Sequence, residues 1–156
     1  MSAPLPGIDE AIARTQIAFA MAHYNIHVDN GEYAKIPLAF TEDATFKVRA
    51  FDLKGRAAIN EYFNTRFGPK RPNPEQPLAL IRHNLTTHFV AFISNSEAVG
   101  RTYFTVTSAH GMDHTGIYSD RYSNASGRWL IAQREISVDW YASPSWYETN
   151  RLKAGK

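Results

Sequence analysis

The sequence predicts an α+β fold in which a helical N-terminal third covers a curved antiparallel sheet around an apolar pocket. Three observations carry this. Apolar residues recur at helical spacing before Phe67, four of the eight prolines then fall between Gly68 and Pro77, and strand-like runs at hairpin intervals come after them. Helices first and hairpins afterwards put the two kinds of element in separate layers. With 156 residues and no internal repeat, the chain reads as one domain over 1–156, with its core at about 8–140 and an aromatic tail at 141–156.

The stretch Ile8 to Val28 is Ala-rich and free of proline, and Ile12, Phe19, Ala22, His23 and Ile26 return at helical intervals, which predicts a long first helix. Asp29-Asn30-Gly31 supplies the residues that end it, and Glu32 to Phe40 reads as a short second helix interrupted by Pro37. Ala44, Phe46 and Val48 alternate with Thr45, Lys47 and Arg49, the period of a half-buried strand running to Ala50. A bend at Phe51 to Lys54 and Gly55 lead into a third helix, Ala57 to Phe67. The proline-rich stretch can be neither a helix interior nor a central strand. Four strands are then expected at Leu80 to Ser94, Ala98 to Ser108, Thr115 to Asn124 and Arg128 to Trp140, joined by turns rich in Asn, Ser, Asp and Gly.

Composition excludes several functions. The formal charge of +2 is too small for a surface that tracks phosphates, so nucleic acid is not an expected partner. The absence of cysteine removes disulfides, thiolate zinc sites and a thiol nucleophile together. Met1 to Asp9 has neither a basic segment nor an apolar run, and no later stretch approaches the roughly 18 apolar residues of a membrane span. The expectation is a cytoplasmic protein with no membrane partner. Aromatic residues make up 13% of the chain, which suits a sheet-rich core or an aromatic-lined pocket.

Alternation assigns a face to each strand residue and picks out the polar groups that stand among apolar ones. In the first long strand Ile81, His83, Leu85, Thr87, Phe89, Ala91 and Ile93 share the inward face, leaving Thr86, His88, Val90 and Phe92 outward. In the last, Leu130, Ala132, Arg134, Ile136, Val138 and Trp140 share a face. His83 and Arg134 are thus the two ionisable residues directed at the interior. A buried guanidinium needs an anionic partner or a wet pocket, and a structural ion pair would satisfy it as well as a site would. Asp29, at the negative end of the first helix, is unfavourable there unless a neighbour such as an imidazole stabilises it, or unless it serves only the turn. Tyr24 lies five positions before it on the same helix.

This order of elements resembles the SnoaL-like branch of the nuclear transport factor 2-like superfamily. The resemblance rests on Tyr24-Asn-Ile-His-Val-Asp29, Arg82-His83-Asn-Leu-Thr-Thr87, Gly100-Arg-Thr-Tyr103, the strand Gly116 to Tyr122, and Arg128-Trp129 leading to Arg134. It implies a cone-shaped sheet closed by the N-terminal helices around a hydrophobic cavity. It also implies a catalytic set of His83, Asp29, Tyr24 and Arg134, because the family's dehydratases and a dehydrochlorinase use an Asp at the helix end to orient a His on the next inward strand. Thr87 departs from the Asn common at that place in the family's strand. The family also holds isomerases, polyketide cyclases and non-catalytic subunits, and fold alone does not choose among them.

The implied chemistry needs no cofactor. His83 would take a carbon-bound proton, Asp29 would fix its tautomer, Tyr24 would donate to the leaving group, and Arg134 would hold a carboxylate or developing negative charge. Elimination, isomerisation and cyclisation all begin with that step, on a small, apolar, cyclic substrate. A ligand-binding or assembly module is the rival. No metal site is expected: His23 and His27 lie i,i+4 but lack a third ligand, and His110 and His114 read as flanking a solvated turn. Val90 and Phe92 on the outward face predict a homodimer or homotrimer formed there.

Overall fold

The computed structural model describes residues 7–67 and 81–152, with nothing stated for the side chains of 150–152. Helix α1 (Gly7–Asp29) is followed by a 3-10 helix (Tyr33–Ala39), strands β1 (Phe40–Val48) and β2 (Phe51–Lys54), and helix α2 (Arg56–Phe67). Four long strands come next, β3 (Ile81–Phe92), β4 (Glu97–Ser108), β5 (Gly111–Ser123) and β6 (Leu130–Tyr141), and helix α3 (Trp146–Leu152) comes last. The fold is α+β. One curved, unclosed sheet in the order β2-β1-β6-β5-β4-β3 wraps the core, antiparallel throughout except where β1 lies parallel to β6. The proline-rich loop expected at Gly68 to Pro77 lies outside the described residues.

Local chemistry explains where the elements differ from expectation. Pro37 sits inside the second helix, and the segment takes the tighter 3-10 form, which is suited to short runs. The expected bend at Phe51 to Lys54 is strand β2, which pairs with β1 from Thr45↔Lys54 to Val48↔Phe51. The two residues between them form the turn, and Arg49 adopts a positive φ of 55° there. Helix α1 buries Ala13, Ile17, Ala20, Met21, Tyr24 and Asn25 against the sheet, while Ile12, Phe19 and Ile26 lie on its exposed side.

Strand β3 changes faces part-way along. Its pairing with β4 runs from Ile81↔Ser108 to Leu85↔Phe104, then resumes at His88↔Thr102, so Thr86 and Thr87 form a bulge. Odd-numbered residues face inward before the bulge and even-numbered ones after it. Val90 is buried in the core and Phe92 packs edge-on to Trp129, whereas Phe89 is 65% exposed. The expected outward patch of Val90 and Phe92 is therefore inward. Strand β6 behaves similarly: register shifts opposite Arg121/Tyr122 and Thr115/Gly116 leave Arg134, Ile136 and Val138 inward but turn Trp140 out. At the second of these shifts a Cβ on Gly116 would collide with the Ser137 carbonyl, so glycine is required.

At the centre lies an ion pair with no exposure on either side chain. Asp120 and Arg134 stand directly opposite each other on β5 and β6. The guanidinium donates through Nε to Oδ1 at 2.9 Å and through Nη2 to Oδ2 at 2.7 Å. The Tyr122 hydroxyl donates to the same Oδ2 at 2.9 Å. The rings of Tyr24 and Tyr118 cover the guanidinium, with centroids 4.5 and 4.2 Å from its central carbon. Burial opposes the charge. The facing carboxylate, with its hydrogen bonds, outweighs that penalty and holds Arg134 protonated above its ordinary range.

Removing one partner of such a pair leaves the other charge buried without compensation. Asp120→Ala is expected to lower unfolding free energy by about 3–5 kcal/mol, measured by urea denaturation. A loss below about 1 kcal/mol, the usual scale of an exposed pair, would contradict this account.

Candidate active site

Strand β3 is an edge of the sheet, and edge strands carry main-chain N–H groups that no neighbouring strand accepts. Near the start of β3 one such group is taken by the C-terminal residue of α1. Asp29 accepts the His83 main-chain N–H through Oδ2 at 2.9 Å and the His83 ring Nδ1 through Oδ1 at 2.6 Å. A carboxylate only accepts, so Nδ1 carries the hydrogen and Nε2 of the neutral ring presents a lone pair. Both side chains are largely buried, at 5% and 12% exposed.

His83 lines a cavity of about 230 Å³ between the sheet, α1, α2 and α3. Aromatic rings supply most of its wall. Tyr24 comes from α1, Tyr62, Phe63 and Phe67 from α2, Phe46 from β1, Phe104 from β4, Tyr118 from β5, and Trp146 and Tyr147 from α3. Tyr24, Phe40, Phe46 and Phe63 meet largely edge to face, which holds the inner wall rigid. Burial pushes the Tyr24 hydroxyl well above its ordinary pKa, with the charge of Arg134 pulling the other way. Tyr118 is raised likewise by burial and donates to Asn25 Oδ1 at 3.1 Å. Both remain protonated donors at neutral pH.

The four residues singled out from sequence occupy distinct places. Asp29 and His83 are in contact, and Tyr24 and His83 line the same cavity. Arg134 does not line it. The tyrosine rings that do so lie over its guanidinium, which is committed to Asp120. Arg134 therefore sits behind the wall as the structural ion pair that sequence reading held open.

Two further cavity residues were not singled out. His114, expected in a solvated turn, is only 5% exposed and lines the cavity, since β5 begins at Gly111 rather than Thr115. Its Nδ1 lies 2.7 Å from Asp113 Oδ1. The signal was present: 114, 116, 118, 120 and 122 are one alternating set, and the later members are plainly inward. Arg49 also lines the cavity, stacked on Tyr147 with its guanidinium carbon 4.5 Å from the ring centroid. Among the described residues no group of three or more His, Asp or Glu could hold a metal ion. No helix among them is long and apolar enough to cross a membrane.

Fold and site together define a small α+β protein with an aromatic-lined cavity on which a carboxylate-held imidazole stands. The chain belongs to the SnoaL-like domain family, which it matches over residues 9–135. No curated protein matches it. Among solved structures it is similar to a protein of unknown function from Mycobacterium tuberculosis, at 25% identity and a TM-score of 0.71, covering 89% of this chain and 79% of that one. It is also similar to a candidate scytalone dehydratase from Novosphingobium aromaticivorans, at 18% identity and a TM-score of 0.70, with 86% and 89% covered. A hexachlorocyclohexane dehydrochlorinase from Novosphingobium barchaimii gives 16% identity and a TM-score of 0.69, with 86% and 92% covered. The last two show the fold.

Burial of His114 lowers its pKa below the ordinary 6.5, with the charges of His83 and Arg49 adding to the effect and Asp113 opposing it. The unfolded chain takes up this proton near 6.5 and the folded one only at lower pH. Stability is thus undiminished above that value and falls as pH drops through it. Between about pH 7.5 and about pH 5.5 the urea midpoint of the wild type is expected to fall further than that of His114→Phe; equal falls would place His114 in an ordinary environment.

Proposed function

We propose that the protein is a cofactor-independent lyase of the dehydratase type, acting on a small, apolar, cyclic substrate by removal of a carbon-bound proton. The observation that carries this reading is the double contact of Asp29 with His83. It leaves a single imidazole nitrogen, in a known tautomer, bare on an aromatic cavity. A base so placed takes a proton, and the adjacent carboxylate stabilises the imidazolium that forms. Tyr24, kept protonated by burial, is the hydrogen-bond donor to the leaving group or to developing oxyanion charge. Arg134 acts through Tyr24 and Tyr118 and not on the substrate. Among the fold neighbours, the dehydrochlorinase is by name an elimination enzyme.

Isomerisation and polyketide-type cyclisation start with the same proton transfer and diverge only in the fate of the carbanion or enolate it creates. A non-catalytic carrier has no use for a carboxylate that fixes the tautomer of a cavity histidine, so the clamp favours an enzyme over a binding subunit. We also propose a homodimer or homotrimer, its contact moved from Val90 and Phe92 to the face carrying Phe89 and Tyr103, which are 65% and 50% exposed. Light scattering at micromolar concentration that returned a monomer would remove that part.

A screen of cyclic hydroxy-ketones and hydroxy-acids for elimination comes first. On any substrate found, His83→Ala is expected to reduce kcat by about 10²–10⁴-fold, the usual scale of a general base. Asp29→Asn should lose most activity with the fold kept, because an amide does not stabilise the imidazolium. Turnover by His83→Ala at the wild-type rate would exclude the mechanism.

A further inference from the structure

His114 is held as tightly as His83, yet the proton transfer just described gives it no task. Asp113 accepts its Nδ1–H at 2.7 Å, so the free nitrogen of the neutral ring is Nε2. Asp113 is itself immobilised. Its Oδ2 accepts the Trp146 N–H at 2.6 Å, its Oδ1 accepts the Tyr147 N–H at 3.1 Å, and its carbonyl accepts the Ala142 N–H at 2.8 Å. The ring stacks on Trp146 at 15° and 6.3 Å, and Tyr147 packs against it at 4.9 Å.

The ring lines the cavity that His83 lines, with centroids 6.5 Å apart and planes at 90°. Its Nε2 has no hydrogen-bond partner among the described residues. The buried side-chain atoms left unpaired among the described residues belong to Thr102, Asn124 and Arg134, so this nitrogen is not sealed in the core but opens on the cavity, where a ligand can donate to it. The groups facing the ring are Asp113 on its own strand, His83 from β3, Phe104 from β4, Arg49 from the β1–β2 turn, and Trp146 and Tyr147 from α3. Of these only Asp113 favours the charged ring, and burial outweighs it, leaving His114 neutral and an acceptor at neutral pH.

We propose that His114 is a second substrate-contacting residue, whose Nε2 accepts a hydrogen bond from a ring hydroxyl of the ligand while His83 faces a carbon-bound proton of the same molecule. The inference rests on the proton-abstraction reading for the role of His83, and it adds the substrate class: a cyclic or aromatic alcohol, in preference to a hydrocarbon or halocarbon lacking O–H. An acceptor cannot protonate a departing group. The hydroxyl held by His114 is therefore retained in the product, and the group that leaves, if one does, departs from the Tyr24 side.

The test uses phenol and fluorobenzene as probes, which match in size and differ in having a hydrogen to donate. The wild-type protein is expected to bind phenol about tenfold more tightly, the scale of one buried hydrogen bond. His114→Phe should bring the ratio close to unity. In the unaltered protein, phenol should also shift the 15N resonance of His114 Nε2, a readout independent of how the variants fold. Equal affinity of the wild type for both probes would overturn the proposal, as would a preference that survives His114→Phe, or a His114 resonance that phenol does not move. Because the ratio is read without turnover, a fruitless substrate screen with the ratio intact counts only against the lyase reading. A ratio of unity alongside turnover that His83→Ala abolishes counts only against the role of His114.

Discussion

The two oxygens of Asp29 are divided between the main chain and the ring of one residue, His83. That contact closes the end of α1 onto the free edge of β3, satisfies an edge N–H that no strand accepts, and selects the imidazole tautomer. A carboxylate at a helix C-terminus works against the helix dipole. Here the unfavourable placement is offset by two donors, and it puts the imidazole where helix and sheet part to leave a cavity. Without the clamp the helix could still pack through Ile17, Met21 and Tyr24, but the ring would be free to turn.

The buried Asp120–Arg134 pair has a different part. It lies beneath the cavity, with Tyr24 and Tyr118 pressed over the guanidinium. The cation attracts the ring faces, so two tyrosines that line the cavity are also held by a charge that does not. Asp120 already matches the charge of Arg134, and the guanidinium is not among the groups that line the cavity. Polar chemistry in the cavity falls instead to the two imidazoles, the tyrosine hydroxyls and Arg49 at the turn joining β1 and β2.

Much of the fold was legible because it depends on periodicity and on breakers. α1, α2 and the four long strands emerge from the spacing of apolar residues and from Gly, Asn and Pro between them. Asp29 and His83 were legible because each was out of place: a carboxylate at the wrong end of a helix and a histidine in an apolar alternation. What periodicity could not carry were its interruptions. A bulge at Thr86–Thr87 inverts the faces of the second half of β3, so Val90 and Phe92 were assigned to the wrong side. Nothing in Thr-Thr announces a bulge, since threonine is an ordinary strand residue. Trp140 was misplaced for the same reason at the other end of the sheet. His114 was lost through a boundary and not through a face: starting β5 at Thr115 left it in the turn. The capture of α3 by Asp113 was beyond sequence, because it joins residues more than thirty positions apart through main-chain hydrogens.

The aromatic wall has a thermodynamic consequence. A ring side chain has two torsions to fix, and folding has already fixed them through edge contacts among Tyr24, Phe46 and Phe63 and through stacking of Trp146 on His114. A ligand that fits therefore orders little on arrival, and most of the apolar surface it buries appears as affinity. The converse is poor adaptability. A wall built from unbranched aliphatic chains could remould around a bulkier guest, whereas packed rings meet it as a rigid boundary. Selectivity by shape is thus settled before any hydrogen bond forms, and acceptance of larger rings would require replacing wall residues rather than waiting for the cavity to open.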